Sequence, residues 1–370
     1  SDNKMNKKIT LLLILIILVG TFLRIYKLEN ESLWLDESAT YYALQQGKSY
    51  IINNLFYKNI LVPEYFTQTG EMPFYFLLTY YWTKLIGLSI FKLRLLSAIL
   101  GILSIYMIFL LGKTLFKNEI GLIAAFILAI NHQHIYYSQE ARMYSLLVFL
   151  VLLSMYLLSK ALRENKNKFW IGYVITTISL VYTHYYSLFI VLFQYLFILL
   201  FFKNIKKVFT KALISGISLF ILFIPWIPTI LRQLRASSDI GWLSSKPTIL
   251  TLAQIFLSFN SWISPDLETR TALRSMNLTN ISSQGLILVL SIFLLAFILL
   301  IYFIFGILKY KNKSINFTDL KNKNILFLLM WILIPIIIPF IASYILKGPA
   351  LGPTRYVLFV SPAYYIIVAK

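Results

Sequence analysis

The stretch ITLLLILIILVGTFLRIY, residues 9–26, carries one charged side chain, Arg24. An apolar run of this length is what an α-helix needs to cross the hydrocarbon core of a bilayer, which is about 30 Å thick. Further runs of similar character follow along the chain: Leu93–Gly112, Ile120–Tyr137, Met143–Leu162, Phe169–Thr183, Tyr186–Phe202, Val208–Ile230, Leu286–Leu308, Ile325–Leu346 and Tyr356–Ala369. The sequence therefore predicts an all-α polytopic membrane protein with about ten transmembrane helices.

The overall composition agrees with a membrane protein. Hydrophobic residues make up 59% of the chain and charged residues only 13%, whereas about a quarter of a soluble protein is charged. The net charge of +20 comes from basic residues, and they stand in short clusters between apolar runs, as the positive-inside rule describes. This distribution argues against nucleic-acid binding. The chain has no cysteine, which excludes disulfides, thiolate metal sites and cysteine nucleophiles.

One aromatic segment, Pro73–Ile86, is shorter than the other runs and suits the membrane interface better than the hydrocarbon centre. We therefore predict an interfacial helix on the outer surface, within the first long loop. With that choice the basic clusters near Lys7, Lys113, Arg163, Lys203 and Lys309 fall on one, inner side. The long loops 27–92 and 231–285 then lie on the opposite side.

Two acidic segments stand at that outer side. Trp34-Leu35-Asp36-Glu37-Ser38 follows the first apolar run, and Glu140 follows the third. Carboxylates at a membrane surface are costly unless they are solvated, paired or functional. The alternatives are a solvated loop or helix N-cap for the first segment, and an ion pair or cap for the second. On a continuous helix Glu140 and Tyr144 would share a face, with Arg142 turned away from them.

Three more polar residues fall on the same side. His184 interrupts an apolar stretch, Arg355 begins the last one, and Glu71 precedes the aromatic segment. A lone interfacial histidine is commonly a satisfied polar anchor, and an arginine there either snorkels to lipid headgroups or clamps a phosphate. Together, widely separated segments bring carboxylates, a histidine and arginines to one membrane face. That combination suits an anionic substrate carried by the membrane.

Several of these segments resemble one family. The resemblance lies in WLDE at 34–37, EMPFY at 71–75, LRLLSA at 93–98, YSQEARMY at 137–144, THYY at 183–186 and RY at 355–356. They are similar to the GT-C superfamily of membrane glycosyltransferases, in the branch of the protein O-mannosyltransferases and the aminoarabinose transferase that acts on lipid A. The resemblance implies a GT-C fold, with residues 1–230 as the catalytic transmembrane module, 231–285 as the second outer loop and 286–370 as C-terminal transmembrane helices.

The resemblance also implies a reaction. Members of the family take a sugar from a donor in which one phosphate links it to a polyprenyl or dolichyl lipid. Asp36 matches the expected base, Glu140 the second acidic position, and Arg142 an arginine associated with donor phosphate. Many relatives carry His-Pro-Pro where this chain has Glu71-Met72-Pro73. A glutamate there resembles the lipid A transferase, so Glu71 and His184 are candidate ligands of a divalent metal ion.

The resulting hypothesis is an inverting glycosyltransferase of the cell membrane with its active site on the extracytoplasmic face. Asp36, Glu37 and Glu140 are the predicted catalytic residues, and Arg142 and Arg355 the predicted phosphate-binding residues. Trp34, Tyr144 and Tyr185 are candidates for stacking on a sugar, or else interface anchors. The predicted partners are the lipid-phosphate donor, an acceptor glycan, lipid or protein, and the bilayer. No organic cofactor is expected. Family members usually run longer, so an end at Lys370 would be a truncation.

Three other functions compete with this one. A polysaccharide ligase or polymerase that uses lipid diphosphate donors would share the location and the kind of substrate. A secondary transporter would place ionisable groups near the bilayer midplane on broken helices in repeated halves, and we see no internal repeat in this sequence. A membrane scaffold would leave the clustered outer carboxylates unexplained. The sequence does not identify the sugar, the acceptor or the oligomeric state.

Overall fold

The computed structural model describes residues 7–56, 72–201, 206–236, 247, 249–260, 320–345 and 354–370, and in these ranges the regular structure is helical throughout. Two 3₁₀ segments, Ile224–Trp226 and Thr354–Val360, accompany the α-helices. The α-helices are α1 Lys7–Ile25, α2 Leu35–Gln46, α3 Lys48–Phe56, α4 Pro73–Ile86, α5 Ile90–Leu115, α6 Asn118–Ile130, α7 His132–Ser138, α8 Tyr144–Glu164, α9 Asn167–Val181, α10 Ser187–Leu200, α11 Lys206–Phe223, α12 Ile227–Ala236, α13 Ile249–Phe259, α14 Leu320–Ile345 and α15 Ser361–Ala369.

The predicted multi-pass, all-α membrane architecture is confirmed. Among the described residues, five helical segments are long and apolar enough to cross a bilayer: α1, α5, α8, Val208–Leu231 and Lys323–Ile345. The pair α6 and α7 would be a sixth span, bent by 63° at its break. Shorter apolar helices lie at Ser187–Leu200 and Arg355–Ala369. The predicted count of ten is not established by these residues, and the run Leu286–Leu308 lies outside them.

The bundle is built around α5, which packs against α1, α6 and α8. At the crossing of α5 and α6 a Cβ on Gly121 would lie 2.5 Å from the carbonyl oxygen of Phe109, and one on Gly112 would lie 2.8 Å from the Cα of Gly121. The two backbones therefore touch where neither residue has a side chain. Such small-residue contacts give close van der Waals packing. This packing drives helix association in a bilayer, where the hydrophobic effect does not act between helices.

The aromatic segment Pro73–Ile86 forms a helix with the predicted bounds. Proline at its first position needs no hydrogen-bond partner for its nitrogen, and Gly87, with a φ of +87°, ends the helix in a backbone conformation that favours glycine. The amide of Phe74 donates to the carbonyl oxygen of Tyr182 at 2.9 Å, which attaches the start of α4 to the end of α9. Its position at the membrane surface remains a prediction.

The predicted run Ile120–Tyr137 is divided at Asn131. The side chain of Asn131 accepts a hydrogen bond from the His134 amide at 3.2 Å and so caps a new helix, α7. Its amide group also donates to the carbonyl oxygen of Phe259 at 3.0 Å. The chain then leaves helical structure again between Ser138 and Tyr144. The prediction of a shared helical face for Glu140 and Tyr144 was therefore wrong, because Glu140 lies in this bend rather than on a helix.

Basic segments meet at one end of the bundle. Arg163, at the end of α8, donates to the carbonyl oxygen of Thr114 at the end of α5. Lys211 of α11 donates to the carbonyl oxygen of Asn165 at 2.9 Å, and the ammonium group of Lys323 lies over the ring of Phe201. The ends of α5, α8, α10 and α14 are thus neighbours, as the alternation of the basic clusters predicted.

Candidate active site

The opposite end of the bundle carries the acidic segment that follows α1. Trp34 precedes α2, and Asp36 and Glu37 lie in the first turn of that helix. Carboxylates at this position interact favourably with the positive end of the helix dipole. The side chain of Glu37 reaches back to the Trp34 amide, at 3.4 Å. The side chain of Asp36 is 13% exposed and that of Glu37 only 1%, so the two adjacent carboxylates have different environments.

Glu37 forms a buried, bidentate ion pair with Arg94 of α5. Arg94 Nε donates to Glu37 Oε1 at 2.9 Å and Arg94 Nη2 donates to Oε2 at 2.7 Å. The amide of Ala141 donates to Oε1 as well, at 2.7 Å. The guanidinium of Arg94 also donates to three backbone carbonyl oxygens of the segment before α2, those of Leu28, Glu31 and Ser32. Glu37 therefore joins α2, α5 and the bend after α7, and its oxygens are engaged by these donors.

Two further arginines approach Asp36 from different elements. Arg355 Nη2 lies 3.8 Å from Asp36 Oδ2, which is within ion-pair range but longer than a hydrogen bond. Arg142 Nη1 lies 3.4 Å from the backbone oxygen of Asp36 and 3.3 Å from Thr40 Oγ1. Asp36 is thus placed between one guanidinium at its carboxylate and another at its main chain.

Aromatic rings hold Arg355 in place. The Cζ atom of Arg355 lies 5.5 Å from the ring centroids of both Trp34 and Tyr356, which is the distance of a cation–π contact. Its Nε atom is buried and has no hydrogen-bond partner among the residues that the structure describes. The predicted phosphate-binding residue Arg355 and the predicted stacking residue Trp34 are therefore in direct contact.

Glu140 lies in the bend between α7 and α8 and is 6% exposed. Burial raises the pKa of its carboxyl group to about 7, and the charge of Glu37 acts in the same direction. A hydrogen bond from Tyr136 and the charges of Arg355 and Arg142 oppose this rise in the pKa. Glu140 Oε2 has no hydrogen-bond partner within the described ranges. A buried carboxyl group with such a pKa exchanges its proton near neutral pH.

An aromatic wall lies next to these charges, formed by Tyr144, His184, Tyr186 and Tyr356. The rings of Tyr144 and Tyr356 are stacked, with centroids 6.4 Å apart, and the ring of His184 lies 5.0 Å from that of Tyr356. Tyr144 is only 1% exposed, so it supports Tyr356 from behind. Tyr185, another predicted stacking residue, packs instead against the apolar cluster that contains Trp226.

His184 is a neutral, buried side chain. Its Nδ1 accepts a hydrogen bond from the Tyr186 amide at 3.2 Å. Burial, together with the charges of Arg142 and Arg355, lowers the pKa of His184 to about 3. A neutral imidazole is able to ligate a metal. However, Glu71 lies outside the described residues, and among those described no three His, Asp or Glu side chains gather as metal ligands. The described side chains therefore do not form the predicted metal site.

Sequence reasoning did not assign roles to Arg94, Thr40 and Tyr356, which all contact predicted site residues. Arg94 offered a signal, because a charged residue close to the start of an apolar run is expensive unless it has a partner. Tyr356 offered one as well, because it belongs to the RY segment that carries the resemblance, whereas Thr40 offered none.

Comparison with known proteins adds two findings. Residues 70–230 match the family model of the dolichyl-phosphate-mannose-protein mannosyltransferases. The crystal structure of the Archaeoglobus fulgidus oligosaccharyltransferase with Zn and sulfate matches with a TM-score of 0.54 at 17% identity, covering 97% of this chain and 48% of that one. The chain shares the fold of this oligosaccharyltransferase. No curated protein matches it in sequence.

Other structures of the same archaeal enzyme agree. AglB in complex with an inhibitory peptide and a dolichol-phosphate has a TM-score of 0.54 at 15% identity, and the apo form has a TM-score of 0.55 at 14% identity. These alignments cover 98% and 100% of this chain, and 50% and 51% of the archaeal one. The chain therefore spans about half the length of the proteins whose fold it shares.

The structural matches show a shared fold over 97% or more of this chain, and the family model supports the predicted resemblance over residues 70–230. The matched segment includes Glu140, Arg142 and His184. Asp36 and Arg355 lie outside it and are joined to it by the contacts given above. Their assignment to the site thus depends on the tertiary structure.

Proposed function

We propose that the chain is an inverting glycosyltransferase that moves a sugar from a polyprenyl- or dolichyl-monophosphate donor to an acceptor glycan, lipid or protein. The observation that carries this proposal is the position of Asp36 between Arg355 and Arg142. A base beside two cations fits a reaction in which an acceptor loses a proton while a phosphate leaves. The match of residues 70–230 to the dolichyl-phosphate-mannose-dependent family supports the class of donor.

In the proposed step the acceptor oxygen or nitrogen attacks the anomeric carbon of the sugar. Its proton passes to the carboxylate of Asp36. The bond between the anomeric carbon and the phosphate oxygen breaks, and its electron pair stays on that oxygen, so that the products are the glycosylated acceptor and the lipid phosphate. Attack from the side opposite the phosphate inverts the anomeric centre. Arg142 and Arg355 stabilise the leaving anion electrostatically.

The loose contact between Arg355 and Asp36 suits such a cycle. The 3.8 Å between Arg355 Nη2 and Asp36 Oδ2 is too long for a hydrogen bond. A phosphate, by contrast, readily accepts hydrogen bonds from a guanidinium, often two at a time. We expect the incoming donor phosphate to take Arg355 away from Asp36. Donor binding would then release the carboxylate of Asp36 from its contact with Arg355. The cation–π contacts with Trp34 and Tyr356 keep the guanidinium close during the exchange.

Glu37 and Glu140 have different proposed roles. Because the oxygens of Glu37 accept hydrogen bonds from Arg94, Ala141 and Trp34, we assign it the positioning of Asp36 on α2 rather than contact with the acceptor. Glu140 is the better candidate for orienting the acceptor, because one of its oxygens is not engaged by the described residues. A metal-dependent step is not part of the proposal.

The proposed location is the cell membrane, with the site on the extracytoplasmic face. The basic segments around Arg163, Lys211 and Lys323 lie together at one end of the bundle, and the site lies at the other. Basic clusters mark the cytoplasmic side of membrane proteins, which supports the outer placement of Asp36.

The test is release of lipid phosphate by purified protein in lipid nanodiscs supplied with polyprenyl-phosphate-linked sugars and a pool of acceptors. Asp36→Asn is expected to lower the turnover number by about 10²- to 10⁴-fold, the usual contribution of a general base, while donor binding persists. Glu29→Gln is the matched control, because Glu29 is an exposed carboxylate in the same loop.

Two outcomes would contradict the proposal. Near-normal turnover in Asp36→Asn would exclude Asp36 as the base. No release from any lipid-monophosphate donor by the wild type, with or without a divalent metal, together with release from lipid diphosphate donors, would show a ligase of the kind considered above.

A further inference from the structure

The end of α1 and the break between α6 and α7 are joined through a buried arginine. Arg24 is 0% exposed. Its Nη1 donates to the carbonyl oxygen of Ala129 at 2.9 Å and its Nη2 to that of Leu128 at 3.0 Å. These carbonyls belong to the last turn of α6, where the break at Asn131 leaves them without partners in their own helix. Arg24 therefore caps α6 from the neighbouring helix.

A second side chain makes the converse contact. Gln139, the first residue after α7, directs its Nε2 at the carbonyl oxygens of Tyr26, at 3.0 Å, and of Leu23, at 3.2 Å. The carbonyl oxygen of Arg24 lies 3.5 Å from the same atom. The acceptors are the terminal carbonyls of α1. Gln139 thus caps α1, which carries Arg24, so that α1 caps the end of α6 and the residue after α7 caps the end of α1.

Close packing fixes the short helix between these two contacts. A Cβ atom on Gly101 of α5 would lie 2.1 Å from Ser138 Oγ and 3.0 Å from Arg24 Nε, so only glycine lets α7 approach so closely. On the other side of α7, His134 Nε2 and Ser361 Oγ lie 2.7 Å apart, within hydrogen-bond distance. The break is therefore in contact with α1, α5 and the start of α15.

The segment that begins at Gln139 carries Glu140, Ala141 and Arg142. We infer that Arg24 and Gln139 form a reciprocal clamp that positions this segment, so that Arg142 reaches Asp36 and Glu140 faces the site. Burying an arginine near the end of an apolar helix is unfavourable unless its charge is satisfied by acceptors. A simple connection between two helices does not need a buried arginine. A bend that has to keep one geometry does need such a contact. The role of this segment in catalysis rests on the proposed function. The contacts that hold the segment in place do not depend on it.

The absence of cysteine from the sequence allows a direct test of the clamp. Met143→Cys places a single thiol at a position that is 7% exposed, at the end of the segment. We expect slow labelling of this thiol by a membrane-impermeant maleimide in the otherwise wild-type protein. Adding Gln139→Leu is expected to speed labelling about tenfold, because the segment opens more readily once its hydrogen bonds to the end of α1 are lost.

Gln194→Leu is the matched control. Gln194 is a buried glutamine that hydrogen-bonds to Tyr173 and Ser154, and it lies in α10 away from the break. We expect it to leave labelling of the reporter thiol unchanged. Unchanged labelling in Gln139→Leu would overturn the inference, and so would an equal increase in both variants, because that would indicate general loosening of the bundle.

Transferase assays supply the second readout. We expect Gln139→Leu to lower the turnover number about tenfold with a smaller change in the KM for the donor lipid, because Arg355 remains in place to bind phosphate. Arg24→Lys keeps the charge but not the planar fork that reaches both carbonyls, and is expected to act in the same direction. If the wild type transfers no sugar, the proposed function fails, whereas the labelling experiment still decides whether the clamp exists.

Discussion

The two ends of the bundle treat their charged residues differently. At the site end, the ion pair of Arg94 and Glu37 has side-chain exposures of 6% and 1%. At the basic end, the pair of Lys166 and Glu164 has exposures of 60% and 28%. The first pair joins residues far apart in the sequence, whereas the second joins residues two positions apart.

This difference shows what the charges contribute at each end. A buried charge loses its hydration, and this loss must be offset by an ion pair and hydrogen bonds. Removing the partner of a buried charge therefore strongly destabilises the protein. An exposed pair stays solvated and contributes little to stability. The geometry of the site end therefore depends on each buried partner, whereas the geometry of the basic end depends little on this exposed pair.

The largest effect on stability is expected from Arg94→Met. This substitution leaves the carboxylate of Glu37 buried without its cation, and we expect the free energy of unfolding to fall by about 3–5 kcal/mol. The measurement is equilibrium unfolding in detergent micelles. The double variant with Glu37→Gln should recover part of the loss, because no buried charge then remains unpaired. A loss below about 1 kcal/mol would mean that water reaches the pair and that the two ends do not differ as described.

The next effect concerns pH and Glu140. Its pKa is raised from 4.5 to about 7 in the folded protein, so the folded state binds the proton more tightly than the unfolded state. The stabilisation is fully present below about pH 4.5 and is lost as the pH rises through about 7. We expect the wild type to lose on the order of 2–3 kcal/mol between pH 5 and pH 8 through this group.

Glu140→Gln provides the comparison, because it keeps the shape of the side chain and removes its titration. The unfolding transition of the variant should vary less with pH than that of the wild type, over the same range from 5 to 8. Parallel pH dependences in the two proteins would show that Glu140 is solvated, contrary to its 6% exposure.

The smallest effect is expected at the basic end. Glu164→Gln removes the partner of Lys160 and Lys166, and we expect it to shift the midpoint of thermal unfolding by less than about 2 °C. Raising the salt concentration should lower the wild-type midpoint by no more than this, because the pair is already exposed. If Glu164→Gln lowered the stability of the protein as much as Arg94→Met does, the two ends would not differ as described.

Local features of the sequence predicted much of this structure. The bounds of α4 were correct because Pro73 begins a helix and Gly87 ends one. The grouping of basic segments at one end followed from alternation along the chain. By contrast, the break at Asn131 was not predicted, because asparagine occurs within apolar runs for several reasons. Only the contacts of Asn131 with His134 and Phe259 show that it ends one helix and starts another.

The site divides in the same way. Asp36, Arg142 and Arg355 were predicted as site residues from their chemistry and from the family resemblance, and the structure brings all three together. The difference between Asp36 and Glu37 could not be read from two adjacent carboxylates. It arises because Arg94, 57 positions away in the sequence, forms its bidentate ion pair with Glu37. Similarly, the assumption of a continuous helix turned Arg142 away from Glu140. It gave the wrong orientation because residues 139–143 are not helical.

The sequence by itself determined that this chain is a helical membrane protein, where its apolar runs lie, and which ionisable residues are too costly to be incidental. Those properties depend on composition and on neighbours a few residues apart. The tertiary structure alone decided which carboxylate is buried in an ion pair, where α6 and α7 part, and which aromatic rings surround Arg355. Those outcomes depend on partners contributed by distant segments, and the cost of burying a charge is known only when its partner and its solvent exposure are known.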